Sequence, residues 1–232
     1  MADQPGFDFD GDYATRYERV IRQVVPGYDD LMHLTPAVLR MTVGPTARVL
    51  VVGAGTGNEL AAYARGEPGW LLTAVEPSEG MLAQARARMA DLGMESRIEF
   101  CRGHLAELPE TRPFDAATLL LVLHFQPDDG AKLRLLRDIA ARLRPGAPFT
   151  LVDSHGEAGT APFDQMMEAW MRYARYHGVS EEEEALYREQ VRDGVYNVPA
   201  ERVTELLSEA GFRNPSQFYR ALVFGGWVAE RA

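Results

Sequence analysis

The sequence predicts an α/β fold: a seven-stranded, mostly parallel sheet with an antiparallel last strand, flanked by helices. Three observations carry that prediction. Five short apolar runs alternate with helical stretches between residues 46 and 155, the pattern of a parallel sheet buried on both faces. The first run ends in a turn with three glycines, after which a helix opens. Two further strand-like segments close the chain after a wholly helical stretch, and these suit an antiparallel edge.

The elements follow in order. Tyr13, Tyr17, Val20, Ile21, Val24 and Val25 recur at helical spacing. Pro26-Gly27 breaks that helix, and a second is expected from Asp29 to about Met41. Strands are predicted at 47–52 (ARVLVV), 71–76 (LLTAVE), 97–101 (RIEFC), 114–121 (FDAATLLL) and 148–153 (PFTLVD). Helices are predicted between them at 57–65, 78–91 and 128–143. Arg144-Pro145-Gly146 ends the last of these and turns into the fifth strand. Helices are then expected at 162–177, 180–193 and 199–210, with closing strands near 216–222 and 223–230. The Glu181–Glu184 run sits where a helix starts, and negative charge there suits the helix dipole. The chain therefore divides into a helical cap (1–45), an α/β core (46–155), a helical insertion (156–210) and the closing strands of the same sheet (211–232), one domain overall. The insertion is placed to cover the open end of the sheet, where substrate contacts are expected.

Composition narrows the function. The 232 residues hold 46% hydrophobic and 25% charged residues, and the formal charge is −10. Such a chain buries a core without disulfides or structural metal. Cys101 is its one cysteine, so neither an intrachain disulfide nor a cysteine-based zinc site is expected, and no metal is assigned. Its only lysine is Lys132 and its arginines are interspersed with acids, which argues against a nucleic-acid partner. No apolar run approaches the roughly 18 residues of a membrane span. The N-terminus lacks the basic flank and apolar run of a signal peptide, so a cytoplasmic location away from membranes is expected.

The glycine turn carries the chemistry. Gly53, Gly55 and Gly57 let the backbone turn tightly and approach a ligand without a Cβ in the way. A dinucleotide site would want a small residue where Asn58 stands, and a P-loop would want a lysine that is absent. Glu76 ends the second strand about 20 residues on, where a carboxylate can accept from both ribose hydroxyls. Turn, acid and strand rhythm select a nucleoside ligand without a pyrophosphate. In combination, V-G-A-G-T-G-N-E (52–59), V-E-P-S-E-G-M-L (75–82), R-G-H-L (102–105) and L-R-P-G-A-P-F (143–149) resemble the class I S-adenosylmethionine-dependent methyltransferases, a Rossmann-like fold. The resemblance implies that Gly53, Ala54 and Gly55 pack against the methionine part and ribose, and that Glu76 holds the ribose hydroxyls. It places Pro77 and Met81 near the adenine, with His104 and Leu105 at its edge. Many members carry Asp where this chain has His104.

The tails carry a second resemblance. V-V-P-G-Y-D-D-L (24–31), Y-H-G-V-S-E-E-E (176–183), Tyr187-Arg188, E-L-L-S-E-A-G-F (205–212) and F-G-G-W-V-A (224–229) resemble the carboxy-S-adenosylmethionine synthases of the same fold class. That resemblance implies a cofactor contact from Tyr28, a carboxylate-binding role for Arg188, and a homodimer whose partner supplies the arginine. A guanidinium suits a partly buried carboxylate because it grips both oxygens; the other reading of Arg188 is a solvated helix charge paired with Glu184. Two departures favour a methyltransferase that shares ancestry with the synthases. Leu120 stands where the synthases carry a polar Asn, and the glycine turn has the plain G-x-G-x-G form. The expected activity is methyl transfer from S-adenosylmethionine to a small-molecule acceptor, leaving S-adenosylhomocysteine. The alternative is a carboxy-S-adenosylmethionine synthase.

Methyl transfer from a sulfonium needs alignment, exclusion of water and, for some acceptors, a base. His124 follows the fourth strand and ranks first as that base, then His155 after the fifth; His177, ending the insertion helix, is a third candidate. Tyr13, Tyr17, Trp170 and Tyr173 are candidates to line the acceptor pocket, with Tyr176 on the same helix face as the last two.

Overall fold

The structure, a computed structural model, describes residues 9–10, 12–109 and 112–232, with the side chains of 12–15 outside the description. The core begins with β1 (Ala47–Val52), α3 (Asn58–Gly66), β2 (Trp70–Glu76), α4 (Glu79–Asp91), β3 (Ile98–Arg102) and β4 (Ala116–Leu120). It continues through α5 (Ala131–Arg142) and β5 (Pro148–Ser154). Ahead of it lie α1 (Asp12–Val24) and α2 (Tyr28–Leu39). After it come α6 (Ala161–Tyr176), α7 (Glu181–Gly194), α8 (Ala200–Glu209), β6 (Phe212–Ala221) and β7 (Phe224–Arg231).

The seven strands lie in the order β3-β2-β1-β4-β5-β7-β6. β1 to β5 pair in parallel, and β7 runs antiparallel to both β5 and β6. The order reverses between β1 and β4. Ligands of open α/β sheets bind at that reversal, outside the carboxyl ends of the strands.

Each face of the sheet buries its own core. On one, Leu50, Leu119, Phe149 and Leu151 pack with Leu136 and Ile139 of α5 and Leu206 of α8. On the other, Val49, Val51 and Ala74 pack with Leu60 and Tyr63 of α3 and Met89 of α4. This two-sided burial is why the strands read as continuous apolar runs rather than alternations. A third cluster joins the cap to the insertion: Ile21, Val25 and Leu31 meet Trp170, Met171 and Phe224 over Leu120 and Val152. The N-terminal cap and the helical insertion between β5 and β6 thus roof the open end of the sheet together.

Local chemistry sets the helix starts. Ser78 caps α4 by accepting from Met81 N–H at 3.1 Å. Ser180 and Glu183 form a reciprocal capping box at the head of α7, with Glu181 to Glu184 in its first turn. α5 starts at Ala131, three residues later than the pattern predicts, because Gly130 takes a left-handed conformation (φ 102°) just before it. β6 starts at Phe212, earlier than predicted, and carries register shifts against β7 that blur its alternation.

Candidate functional site

β1 runs out at Val52 and the chain turns through Gly53, Gly55 and Gly57, all at positive φ (75°, 52° and 82°). The N–H groups of Gly53 and Ala54 both donate to the Val75 carbonyl, at 2.8 and 3.2 Å. A Cβ on Gly53 would lie 2.4 Å from a Val122 methyl, and one on Gly57 3.0 Å from the Ala85 Cβ. A Cβ on Gly55 would meet nothing within 4 Å. Gly55 is therefore the glycine that faces open space, and its neighbours serve packing.

Glu76 closes this turn from the side. One carboxylate oxygen accepts from Gly55 N–H and the other from Ser78 N–H, each at 2.9 Å. Burial pushes the carboxyl up, and those two N–H groups oppose the shift. Beside it opens a cavity of about 1050 Å³. Of the predicted cofactor residues, Gly53, Gly55, Glu76, Pro77, Met81, His104, Leu105 and Leu120 line it, as does Tyr17. Phe9 and Asp10 line it too; Asp10 accepts from Ser78 Oγ at 2.7 Å and from Gly80 N–H at 3.1 Å.

The remaining predicted cofactor residues are not brought to this cavity. Ala54 is buried behind the turn. Tyr28 is buried in the cap core, where its hydroxyl accepts from the Asn58 amide at 3.1 Å. Arg188 on α7 lines no described cavity and is held by two carboxylates of its own chain, Glu184 and Glu168, each at 2.8 Å.

A smaller cavity of about 110 Å³ adjoins the large one, sharing Phe9, Tyr17, Leu121 and Phe125 as walls. Leu121, just past β4, sits in the left-handed region at φ 58°, a conformation that costs a side-chain-bearing residue about 1–2 kcal/mol. Most of the lining is aliphatic or aromatic, with Trp170 and Phe224 among it. His124, Ser154 and Asn197 are its polar members besides the Tyr17 hydroxyl.

His124 is held tightly. It lies in a short helical turn, Leu123–Phe125, where its backbone N–H donates to Asp153 Oδ2 at 2.9 Å. Its ring Nδ1 meets the other Asp153 oxygen, which also accepts from Ser154 N–H at 2.7 Å. Asp153 is 3% exposed. Lys132, buried beneath this turn, donates to the Leu123 carbonyl at 2.8 Å. Burial pulls its ammonium pKa down, while the charges of Asp153 and Asp128 oppose that.

The other predicted candidates fall elsewhere. The expectation of a base at His155 meets a different geometry: the ring is buried edge-on to Trp227 at 5.3 Å, lines no described cavity, and has its Nε2 without a partner. Burial pulls its pKa down, with Arg220 adding to that. His177 and Tyr173 pack ring to ring at 4.3 Å with a 39° tilt and line neither described cavity, and Tyr176 is 89% exposed. The side chain of Tyr13 lies outside the described residues. Sequence reasoning missed Asp153, Asn197 and Phe9. Only Asp153 left a signal, an acid ending the strand next to the one that His124 follows.

Residues 49–146 match the family model of a methyltransferase domain. Over 227 residues, 97% of this chain and 93% of the relative, the sequence is 26% identical to the carboxy-S-adenosyl-L-methionine synthase of Methylococcus capsulatus. Among solved structures, human N-acetylserotonin methyltransferase in complex with S-adenosylmethionine matches 95% of this chain with a TM-score of 0.60 and 17% identity. An O-methyltransferase family protein from Burkholderia thailandensis matches 100% of it with a TM-score of 0.62 and 17% identity. The chain spans 57% and 64% of those two structures' own lengths. Among the described residues no helix is long and apolar enough to cross a membrane. Residues 49–146 thus match a methyltransferase domain, the whole chain is similar in sequence to carboxy-S-adenosyl-L-methionine synthases, and its fold is that of the S-adenosylmethionine-dependent methyltransferases.

Proposed function

We propose that this chain transfers a methyl group from S-adenosylmethionine to a small-molecule acceptor, with His124 as the general base. The observation that carries the reading is the His124–Asp153 pair on the wall of the smaller cavity, next to the large one. The residues present fit the cofactor. Gly55 leaves room that a Cβ would fill, and Glu76 presents a buried carboxylate, an acceptor set suited to a ribose diol. Met81, Leu105 and Leu120 supply apolar walls. When bound, the cofactor supplies a methyl carbon already activated by its positive sulfur.

The chain's own groups do the rest. Asp153 holds Nδ1 of His124 as the proton-bearing nitrogen, which leaves Nε2 to accept a proton. His124 takes the acceptor's proton as the acceptor's lone pair bonds to the methyl carbon. With the cofactor bound, the methyl–sulfur bond would break with its electron pair left on a neutral thioether, so His124 has only the acceptor's proton to carry away. The roof of α1, α6 and Phe224 limits the access of water to this step.

The second reading is a carboxy-S-adenosylmethionine synthase, favoured by the whole-length similarity to proteins of that name. Against it, Arg188 is already neutralised by Glu168 and Glu184 within its own chain. The homodimer and the cytoplasmic setting are proposals that rest on the resemblance and on composition, as does the exclusion of nucleic acid. Mass spectrometry of the nucleoside released from the purified protein on denaturation separates the two readings. S-adenosylmethionine or S-adenosylhomocysteine supports methyl transfer, and a species heavier by one carboxyl group overturns it.

A further inference from the structure

We propose that the acceptor is an uncharged, single-ring-sized phenol or enol that binds in the smaller cavity with its hydroxyl at His124. This rests on the methyl-transfer reading and adds the acceptor's class. Size comes first. The cavity holds about 110 Å³, and an apolar protein cavity of roughly 150 Å³ takes up one benzene. One ring is therefore the limit, with any substituent directed toward the shared opening at Tyr17, Leu121 and Phe125.

Charge comes second. Ile21, Val24, Val25, Val191, Val195 and Val223 make the walls, and among the described residues no lysine or arginine lines them. A carboxylate there would lose its hydration without a cation in exchange. The remaining polar surface is neutral: Ser154 Oγ and Asn197 Oδ1 are hydrogen-bonded to each other at 2.7 Å. The Asp153 carboxylate lies directly behind His124, so a second carboxylate at the ring would meet a like charge. This wall selects against the acidic acceptors that an arginine-lined pocket would take.

The base sets the third condition. A histidine removes a proton efficiently only where the acceptor's pKa is within reach, as for a phenol near 10, and not for an unactivated alcohol. Transfer then proceeds as balanced above, the hydroxyl proton passing to His124 Nε2 and the oxygen lone pair forming the O–CH₃ bond.

Calorimetric titration of the full chain saturated with S-adenosylhomocysteine tests this, with 4-methylphenol, 4-hydroxybenzoate and 4-phenylphenol as probes. The expected result is binding of 4-methylphenol, with the other two at least tenfold weaker. Val195→Trp and Val191→Phe each fill the cavity from a partly exposed position and should weaken 4-methylphenol at least tenfold while S-adenosylhomocysteine affinity holds. Equal or tighter binding of 4-hydroxybenzoate overturns the charge argument, and undiminished binding in both filled variants overturns the location. A chain that binds S-adenosylhomocysteine but none of the phenols sinks this inference alone. One that does not bind S-adenosylhomocysteine sinks the methyl-transfer reading beneath it.

Discussion

Asp153 uses both oxygens on one neighbour: Oδ2 takes the His124 backbone N–H and Oδ1 faces the ring. The acid therefore fixes where the imidazole sits and which of its nitrogens carries the proton. Asp153→Asn should lower kcat by about 10²–10⁴ with little change in the acceptor's KM, since the amide favours the wrong tautomer. Steady-state kinetics on a variant with an unchanged circular dichroism spectrum would check this, and a wild-type kcat would remove the pair from the chemistry. Glu59 is a second buried acid, with a different role. It lies on α3, fully buried with Oε1 left without a hydrogen-bond partner, and that burial pushes its carboxyl up to about 7, with Thr118 and Tyr63 opposing the shift. A raised folded-state pKa means the native chain keeps a proton that the unfolded chain sheds. Stability should therefore fall as pH rises from about 4.5 to about 7 and level off above, by about 3 kcal/mol in all. Glu59→Gln should flatten that part of a pH series of thermal melts; a slope that persists in the variant would assign it to other groups.

The glycine turn separates binding from folding one residue at a time. Gly57→Ala adds a Cβ 3.0 Å from Ala85 Cβ and 3.1 Å from its Cα at φ 82°. It should destabilise the chain by about 1–3 kcal/mol. Gly55→Ala meets no protein atom within 4 Å. Its cost should be the left-handed strain alone, about 1–2 kcal/mol, together with a clear loss of S-adenosylhomocysteine affinity. Calorimetry paired with thermal melts distinguishes the two, and a Gly55→Ala variant of undiminished affinity would show that the turn does not face the ligand. Why this turn was legible in the sequence, while its surroundings were not, follows from separation along the chain. Gly53 to Gly57 form one contiguous signal, and Glu76 ends the very next strand. The contacts of His124 with Asp153, Ser154 with Asn197, and Phe9 with Phe125 join distant segments, and no local period encodes them. Arg188 shows both cases: its pairing with Glu184 one turn away was visible, and the one with Glu168 on another helix was not.

Taken whole, the chain is a sheet roofed by helices from its N-terminal cap and from the insertion before β6, and the strand pattern announced the sheet. β1, β2, β4 and β5 fall within two residues of the predicted apolar runs because burial on both faces leaves little freedom in composition. The roof was less legible, since α1, α6 and α7 are amphipathic helices whose partners depend on tertiary packing. The large cavity lies between core and roof, so ligand binding should stiffen the molecule as a unit. S-adenosylhomocysteine at a hundredfold excess over its Kd should stabilise the chain by about 2.7 kcal/mol, raising Tm by roughly 5–10 °C for a domain of this size. Differential scanning calorimetry with and without the nucleoside reads this directly, and an unshifted Tm would place its binding elsewhere than in the folded core.

β6 is bonded to the sheet through β7 alone, although β6 comes first in the sequence. A ribosome delivers β6 before the one strand that can hold it. Until β7 emerges and slots in beside β5, β6 offers two bare edges to whatever strand is near. Even in the folded sheet β6 keeps one edge without a neighbouring strand among the described residues, which is where a foreign strand would add.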